Sequence, residues 1–200
     1  MNHFNDKQKE YLSSNFTDIR LSGQEISEML FEECDFRDCD FSEVSFLDCK
    51  FIECQFLKCN FSVAKFDKCK FTDVVFDDCK LIGIDWTRVN WPDIALFSPL
   101  KFFKCNISDS SFFGLLLDEI VIKECKVHNV DFREGSFRMA NFKFSDFSNS
   151  LFNETNLTES DFTEAVNYSI DINYNIIGQA KFSRHEAISL LEGLEIELVD

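Results

Sequence analysis

The chain has 200 residues, 45% of them hydrophobic and 28% charged, which suits one globular domain with a core of its own. Its formal net charge of −16 disfavours direct binding to nucleic acid or to an anionic membrane and favours a basic partner. No apolar run approaches the roughly 20 residues of a membrane span, and the N-terminus lacks a signal-peptide core. We therefore expect a cytoplasmic protein without direct membrane or nucleic-acid binding.

Residues 1–20 precede the regular part of the sequence, and we predict that they form an N-terminal cap. Over residues 21–91 a large apolar residue recurs every five positions, as in the run from Phe31 to Phe76. We call this residue the centre, or position i. A small or medium apolar residue stands at i−2, for example Cys34 before Phe36. Neither an α-helix nor a β-strand has a period of five, so the pattern indicates a repeat array.

The nine cysteines all occupy position i−2. A zinc site would combine His with Cys at short spacings, but His3, His128 and His185 do not partner the cysteine series. A thiol used as a small apolar side chain is buried and unreactive. We therefore interpret the cysteines as core residues and expect neither a metal site nor a catalytic thiol.

The repeat pattern is interrupted at residues 92–101, which contain both prolines, Pro92 and Pro99. Proline lacks a backbone donor, so we predict a loop or bend that interrupts the hydrogen-bonded ladder here. The register then slips by one residue, and a second repeat tract covers residues 102–166, with centres from Phe102 to Phe162.

Residues 167–200 are predicted to form a C-terminal cap and dimerisation segment. Ser183 and Glu186 have the spacing of a capping box, and Gly193 would end the short helix that follows. A helix of about ten residues is marginal alone, so it must pack on the last repeat or on a second copy. The candidate homodimer interface consists of Ile188, Leu190, Leu191, Leu194, Ile196 and Leu198.

Segments such as "CDFRD", "CNFSV" and "ANFKF" resemble the motif of the pentapeptide-repeat family, and the resemblance covers about Leu21 to Phe162. It implies a single all-β domain over residues 1–200, a right-handed quadrilateral parallel β-helix with a short C-terminal helix. Four pentapeptides would form one square coil. Positions i and i−2 would point inward, and i−1, i+1 and i+2 outward.

In such a coil, residues four repeats apart lie above one another at a spacing of about 4.8 Å. Stacked cysteines are then too far apart for a disulfide and should stay reduced. Lys50 and Lys70 are expected to neutralise an outward column of carboxylates on the same face. This column is either a solvated charged face or a surface that imitates a phosphate backbone. The candidate partner-facing column consists of Glu33, Glu53, Asp73 and Asp93.

The stretch "IDWTRVNWPDI" and the segment from Glu164 to the C-terminus are similar to family members that confer albicidin resistance. The quinolone-resistance Qnr members are related in plan, although many carry longer loops. The resemblance implies rod-shaped homodimers, joined at their C-terminal ends, that mimic DNA and interact with DNA gyrase and topoisomerase IV.

The alternative is a pentapeptide-repeat scaffold with a different protein partner. The sequence has no Gly-rich phosphate loop and no Ser/His/Asp or Cys/His arrangement, so we expect a non-enzyme without a cofactor.

Overall fold

The computed structural model describes residues 8–92, 98–194, 196 and 199. Its backbone is a parallel β-solenoid of about eight turns, so the predicted fold class is confirmed. The strands are β1 (Glu10–Leu12), β2 (Asn15–Thr17), β3 (Glu25–Ser27), β4 (Leu30–Glu32), β5 (Asp35–Arg37), β6 (Ser45–Leu47), β7 (Lys50–Ile52), β8 (Gln55–Leu57), β9 (Lys65–Asp67), β10 (Lys70–Thr72), β11 (Val74–Asp77), β12 (Leu100–Phe103), β13 (Val121–Lys123), β14 (Asp161–Phe162) and β15 (Lys181–Phe182). Two 3-10 helices cover Trp86–Arg88 and Glu186–Leu194. None of the described helices is long and apolar enough to cross a membrane.

The strands stack along the solenoid axis, and three of the four faces of the coil carry parallel sheets. The longest sheet has the order β13-β12-β11-β8-β5-β2, and a second has the order β1-β4-β7-β10. The sheet β3-β6-β9 lies on a third face, and β14-β15 continues the face of the longest sheet through the bridges Val121↔Asn141 and Asn141↔Asp161. Single bridges such as Asp40↔Asn60 form the fourth face. Stacked residues are usually 20 positions apart, as Ser13 and Glu33 are, and this separation is one coil of four pentapeptides.

The core consists of the i and i−2 side chains. Every described centre of the two predicted tracts is buried, apart from Leu21 and Trp91, which are partly buried. Phenylalanine rings stack along the axis, as in Phe36–Phe56 with centroids 4.7 Å apart and Phe56–Phe76 with centroids 5.0 Å apart. Within one coil, neighbouring rings meet edge to face, as in Phe56–Phe61 at 5.1 Å. The repeat favours Phe because one ring shape satisfies both contacts in every coil.

The i−2 side chains fill space and also satisfy backbone groups. All nine cysteines are free and buried, which confirms their prediction as reduced core residues. The Cys54 thiol donates to the Phe31 carbonyl at 3.4 Å, and the Ser145 hydroxyl makes the equivalent bond to the Ile122 carbonyl at 2.8 Å. Burial raises the pKa of the Cys105 thiol, and its contact with the next cysteine in the column acts in the same direction.

The ladder extends beyond both predicted repeat tracts. Tyr11 pairs with Phe31, so residues from Glu10 onward form the first coil rather than the cap predicted for 1–20. At the other end, Phe182 stacks on Phe162 with centroids 5.1 Å apart, well past the predicted limit at residue 166. Sequence reasoning missed this last coil because its period is irregular: Phe152 bridges to Ile170, two positions short of the regular partner.

The predicted interruption lies in an insertion between two coils. Val75 pairs with Gln55 on one side and with Lys101 on the other. The separation between stacked partners is 26 positions across the insertion, as for Ile84 and Ser110. Of the predicted break at 92–101, residues 93–97 lie outside the described part of the chain, and β12 has already begun at Leu100. The ladder is in register on both sides of the insertion, because Phe76 and Phe102 stack with an interplanar angle of 9°.

Candidate functional site

Most corners of the coil turn at position i+2, where the backbone is in the left-handed region. Within the described chain, 27 non-glycine residues have a positive φ, and more than half of them are Asp or Glu. Asp and Asn tolerate this conformation, because their short side chains bond to the nearby backbone, whereas other residues are strained there. At the Glu corners, the backbone hydrogen bonds to the neighbouring coils hold the residue in the left-handed conformation. The Glu side chains project into solvent.

Glu33, Glu53 and Asp73 form the column that the sequence predicted, at one corner of successive coils. All three are exposed, with φ values of 52°, 51° and 48°. The Glu33 amide donates to the Ile52 carbonyl and the Glu53 amide to the Thr72 carbonyl, which fixes each corner over the next. Their backbones are therefore about 4.8 Å apart, the spacing of paired strands. We call these three residues the carboxylate column.

The column is only partly neutralised, and not by the predicted lysines. The Ser13 hydroxyl donates to Glu33 Oε2 at 2.7 Å, and Lys101 Nζ lies 2.6 Å from Asp73 Oδ1. Glu53 forms no ion pair with a described residue. The expectation that Lys50 and Lys70 neutralise the column is wrong, because neither makes an ion pair within the described chain.

The fourth predicted member, Asp93, lies outside the described residues. In the ladder the neighbour of Asp73 is Pro99, since Val74 pairs with Leu100 and its amide donates to the Pro99 carbonyl. The same corner resumes beyond the insertion with exposed Glu119 and Glu159. The sequence analysis missed these two residues. Lengthening the separation between stacked residues once, at the insertion, would have found them.

Other outward carboxylates are held by local hydrogen bonds instead of projecting freely. Asp146 accepts from Asn167 Nδ2 at 2.8 Å and from the Ser148 hydroxyl at 2.7 Å, and His128 Nε2 lies 2.8 Å from its other oxygen. Burial alone would raise the pKa of Asp146, but these hydrogen bonds lower it well below its usual range. This carboxylate therefore stabilises the solenoid surface, whereas the carboxylate column is open to a partner.

The predicted interface residues at the C-terminus have different surroundings. Ile188, Leu194 and Ile196 are exposed, whereas Leu191 is half-buried. Leu190 packs into the core of its own chain with 9% exposure, so it does not belong to the exposed surface. Leu198 lies outside the described residues.

The C-terminal 3-10 helix is anchored to the last coil of the solenoid. Asn173 Nδ2 donates to the Gly193 carbonyl at 2.9 Å. A Cβ at Gly193 would lie 2.7 Å from the Asp171 carboxylate, so that carboxylate would have to shift to admit any larger residue. The exposed apolar side chains of this helix are therefore presented at the end of the rod.

No curated protein sequence matches this chain. Among solved structures, one trypsin-treated variant of QnrB1, a plasmid-mediated fluoroquinolone resistance protein, is similar at 19% identity with a TM-score of 0.56. That match covers 96% of this chain and 99% of the other. A second trypsin-treated QnrB1 variant has 20% identity and a TM-score of 0.53, covering 93% of this chain and 100% of the other. These likenesses establish the fold. A family profile described as a pentapeptide repeat region matches residues 29–98 and 84–162, and the chain accordingly belongs to the pentapeptide-repeat family.

Proposed function

We propose that this protein mimics DNA, binds DNA gyrase or topoisomerase IV, and confers or modulates resistance to topoisomerase poisons of the albicidin or quinolone type. It acts by binding, without catalysis or a cofactor. The observation that carries the proposal is the carboxylate column, an exposed and incompletely neutralised row of negative charge along a rigid rod. A basic surface that normally binds a phosphate backbone is the natural partner of such a row.

The charge density of the rod supports this proposal. About eight turns at about 4.8 Å give a rod of about 38 Å with a formal charge of −16. Duplex DNA of that length carries about 22 charges, at two per 3.4 Å. The QnrB1 variants with the same fold are described as a fluoroquinolone resistance protein, which favours a topoisomerase target over an unrelated one.

We propose further that the protein is a cytoplasmic homodimer joined through its C-terminal ends. The exposed Ile188, Leu194 and Ile196 supply an apolar surface there. Burying this surface in a second copy would remove it from water and double the length of the charged rod.

The test is a gyrase supercoiling assay with purified protein, with and without albicidin and a quinolone, at two salt concentrations. We expect salt-sensitive inhibition, or rescue from one of the drugs. Replacing Glu33 and Glu53 with Asn removes two charges and keeps a residue that tolerates positive φ. This double variant should lose most of the effect.

The matched control replaces Glu43 and Asp109 with Asn, because both are exposed, at positive φ, and outside the carboxylate column. This control should keep the effect. If the native protein has no effect at micromolar concentration, the alternative of a scaffold with another protein partner replaces the proposal. If both variants lose activity equally, overall charge rather than the carboxylate column is responsible.

A further inference from the structure

One edge of this acidic rod carries a row of exposed lysines. They are separated from the carboxylate column by one face of the square, since Lys58 turns the corner that follows Glu53. All are exposed, and none forms an ion pair with a described residue. We call these residues the lysine edge, which consists of Lys58, Lys80, Lys104 and Lys126.

The ladder brings the lysine edge together from four different coils. Lys80 and Lys126 both bridge to Asn106, so they lie in one column, two coils apart. Lys58 and Lys104 turn the neighbouring corner with φ values of 55° and 53°, again two coils apart. The two columns alternate, so one ammonium group stands at each of four successive coils. The edge spans about 14 Å, or three coil spacings of about 4.8 Å.

Apolar side chains lie beside these ammonium groups and at one end of the edge. Leu57 and Phe103 are half-buried on the adjoining face and directly precede Lys58 and Lys104. Phe144 occupies the corner column of Lys58 and Lys104, one coil beyond Glu124. Its ring is 52% exposed, and Lys123 Nζ lies 5.9 Å from its centroid. An exposed aromatic ring beside a row of charges is characteristic of a binding surface rather than of a solvated face.

We propose that the lysine edge binds an extended acidic segment of a partner protein, with its carboxylates on the lysines and its apolar side chains against Phe103 and Phe144. The charges of the edge select this partner. Asp78 and Glu124 alternate with the lysines in the corner column. Glu124 is paired with Lys123 Nζ at 3.4 Å, whereas Asp78 forms no ion pair with a described residue, so a continuous phosphate backbone would meet repulsion at Asp78 above all. A peptide can place uncharged residues opposite these two carboxylates. The net charge of −16 also opposes a nucleic acid.

This second surface differs in sign from the carboxylate column and does not depend on a topoisomerase partner. The rod would therefore hold a basic protein at one corner and an acidic segment at the next. Contacts of opposite sign on neighbouring corners fix the rotation of a rod about its axis, which a uniformly acidic rod cannot do.

The test measures the fluorescence anisotropy of a labelled eight-residue peptide of alternating Glu and Leu, mixed with the full-length protein. A peptide with Gln in place of Glu is the ligand control. Replacing Lys104 and Lys126 with Glu should weaken binding about tenfold or more. Replacing Lys65 and Lys68 with Glu makes the same change in net charge on two exposed, unpaired lysines at another edge, and it should weaken binding about twofold at most.

Urea unfolding of each variant distinguishes loss of binding from loss of fold. The milder double variant Lys104→Gln, Lys126→Gln should bind the peptide with an intermediate affinity, and its unfolding midpoint should be unchanged. The proposal fails if the native protein does not distinguish the Glu peptide from the Gln peptide. It also fails if the two charge-reversal variants lose affinity equally, or if a single-stranded DNA oligonucleotide binds the edge more tightly than the peptide.

Discussion

The carboxylate column should cost the protein stability, and this cost can be measured at Glu53. Glu53 stands between Glu33 and Asp73 at a spacing of about 4.8 Å, and Asp73 is already paired with Lys101. Glu33 therefore supplies most of the repulsion. Two carboxylates that keep this backbone spacing repel by about 0.9 kcal/mol in water. Screening reduces this to about 0.7 kcal/mol at 0.01 M salt and to about 0.2 kcal/mol at 1 M salt.

The perturbation is Glu53→Asn, compared with Glu43→Asn. Both residues are exposed corner residues, with φ values of 51° and 58°, so any gain from placing Asn in the left-handed region is the same in both. In its own column Glu43 stands between Gly23 and Val63, which carry no charge. The difference between the two variants therefore isolates the repulsion within the carboxylate column.

The assay is urea unfolding followed by circular dichroism at 0.01 M and 1 M salt. We expect Glu53→Asn to be more stable than Glu43→Asn by about 0.5–0.7 kcal/mol at low salt, and most of that difference should vanish at high salt. Equal stability of the two variants at low salt would refute the reasoning. A difference that does not depend on salt would mean that backbone strain, and not charge, separates them.

Three further predictions follow from the core, the held carboxylates and the C-terminal end. Replacing Phe56 with Ala should lower the free energy of unfolding by about 3–5 kcal/mol, because its ring stacks on rings above and below. The half-exposed Phe144 is the control, and Phe144→Ala should lower it by about 0.5 kcal/mol or less. Urea unfolding of both variants tests this, and equal losses would contradict it. The folded state lowers the pKa of Asp146, so the stability that this group contributes is present above its usual pKa of about 3.9 and is lost as the pH falls further. Unfolding midpoints at pH 6 and pH 3 should therefore differ less in Asp146→Asn than in the native protein, and an unchanged difference would remove the assigned role. Replacing Ile188 and Leu194 with Asp should give monomers in light scattering that keep the circular dichroism spectrum of the native fold, and a variant that stays dimeric would place the interface elsewhere.

The five-residue period was sufficient to predict the core, because only stacked coils place a large and a small apolar residue inside at that spacing. The start of the solenoid was missed although Tyr11 and Phe16 are in phase with the later centres. Their i−2 residues, Lys9 and Ser14, are polar, so the pattern of inward pairs appeared to begin later. Parallel pairing and the stacking of Tyr11 on Phe31 and of Phe16 on Phe36 add this coil although its i−2 residues are polar.

The carboxylate column was predicted only up to the insertion. Pairing across coils depends on a sequence separation, and that separation changes from 20 to 26 positions where the insertion intervenes. The ion pair between Lys101 and Asp73 follows from this change, since it joins residues 28 positions apart. A regular separation of 20 positions does not bring Lys101 next to Asp73, and Lys50 and Lys70 were therefore expected to neutralise the column instead.

The insertion between β11 and β12 has a consequence for how such a protein can diversify. Phe76 and Phe102 stack across it at 5.4 Å, much as Phe56 and Phe76 stack at 5.0 Å without it, so the core is insensitive to the added length. Natural selection can therefore vary the length and sequence of the insertion without altering the coils on either side. A foreign epitope grafted between Pro92 and Ser98 should leave the stacking of Phe76 on Phe102 unchanged.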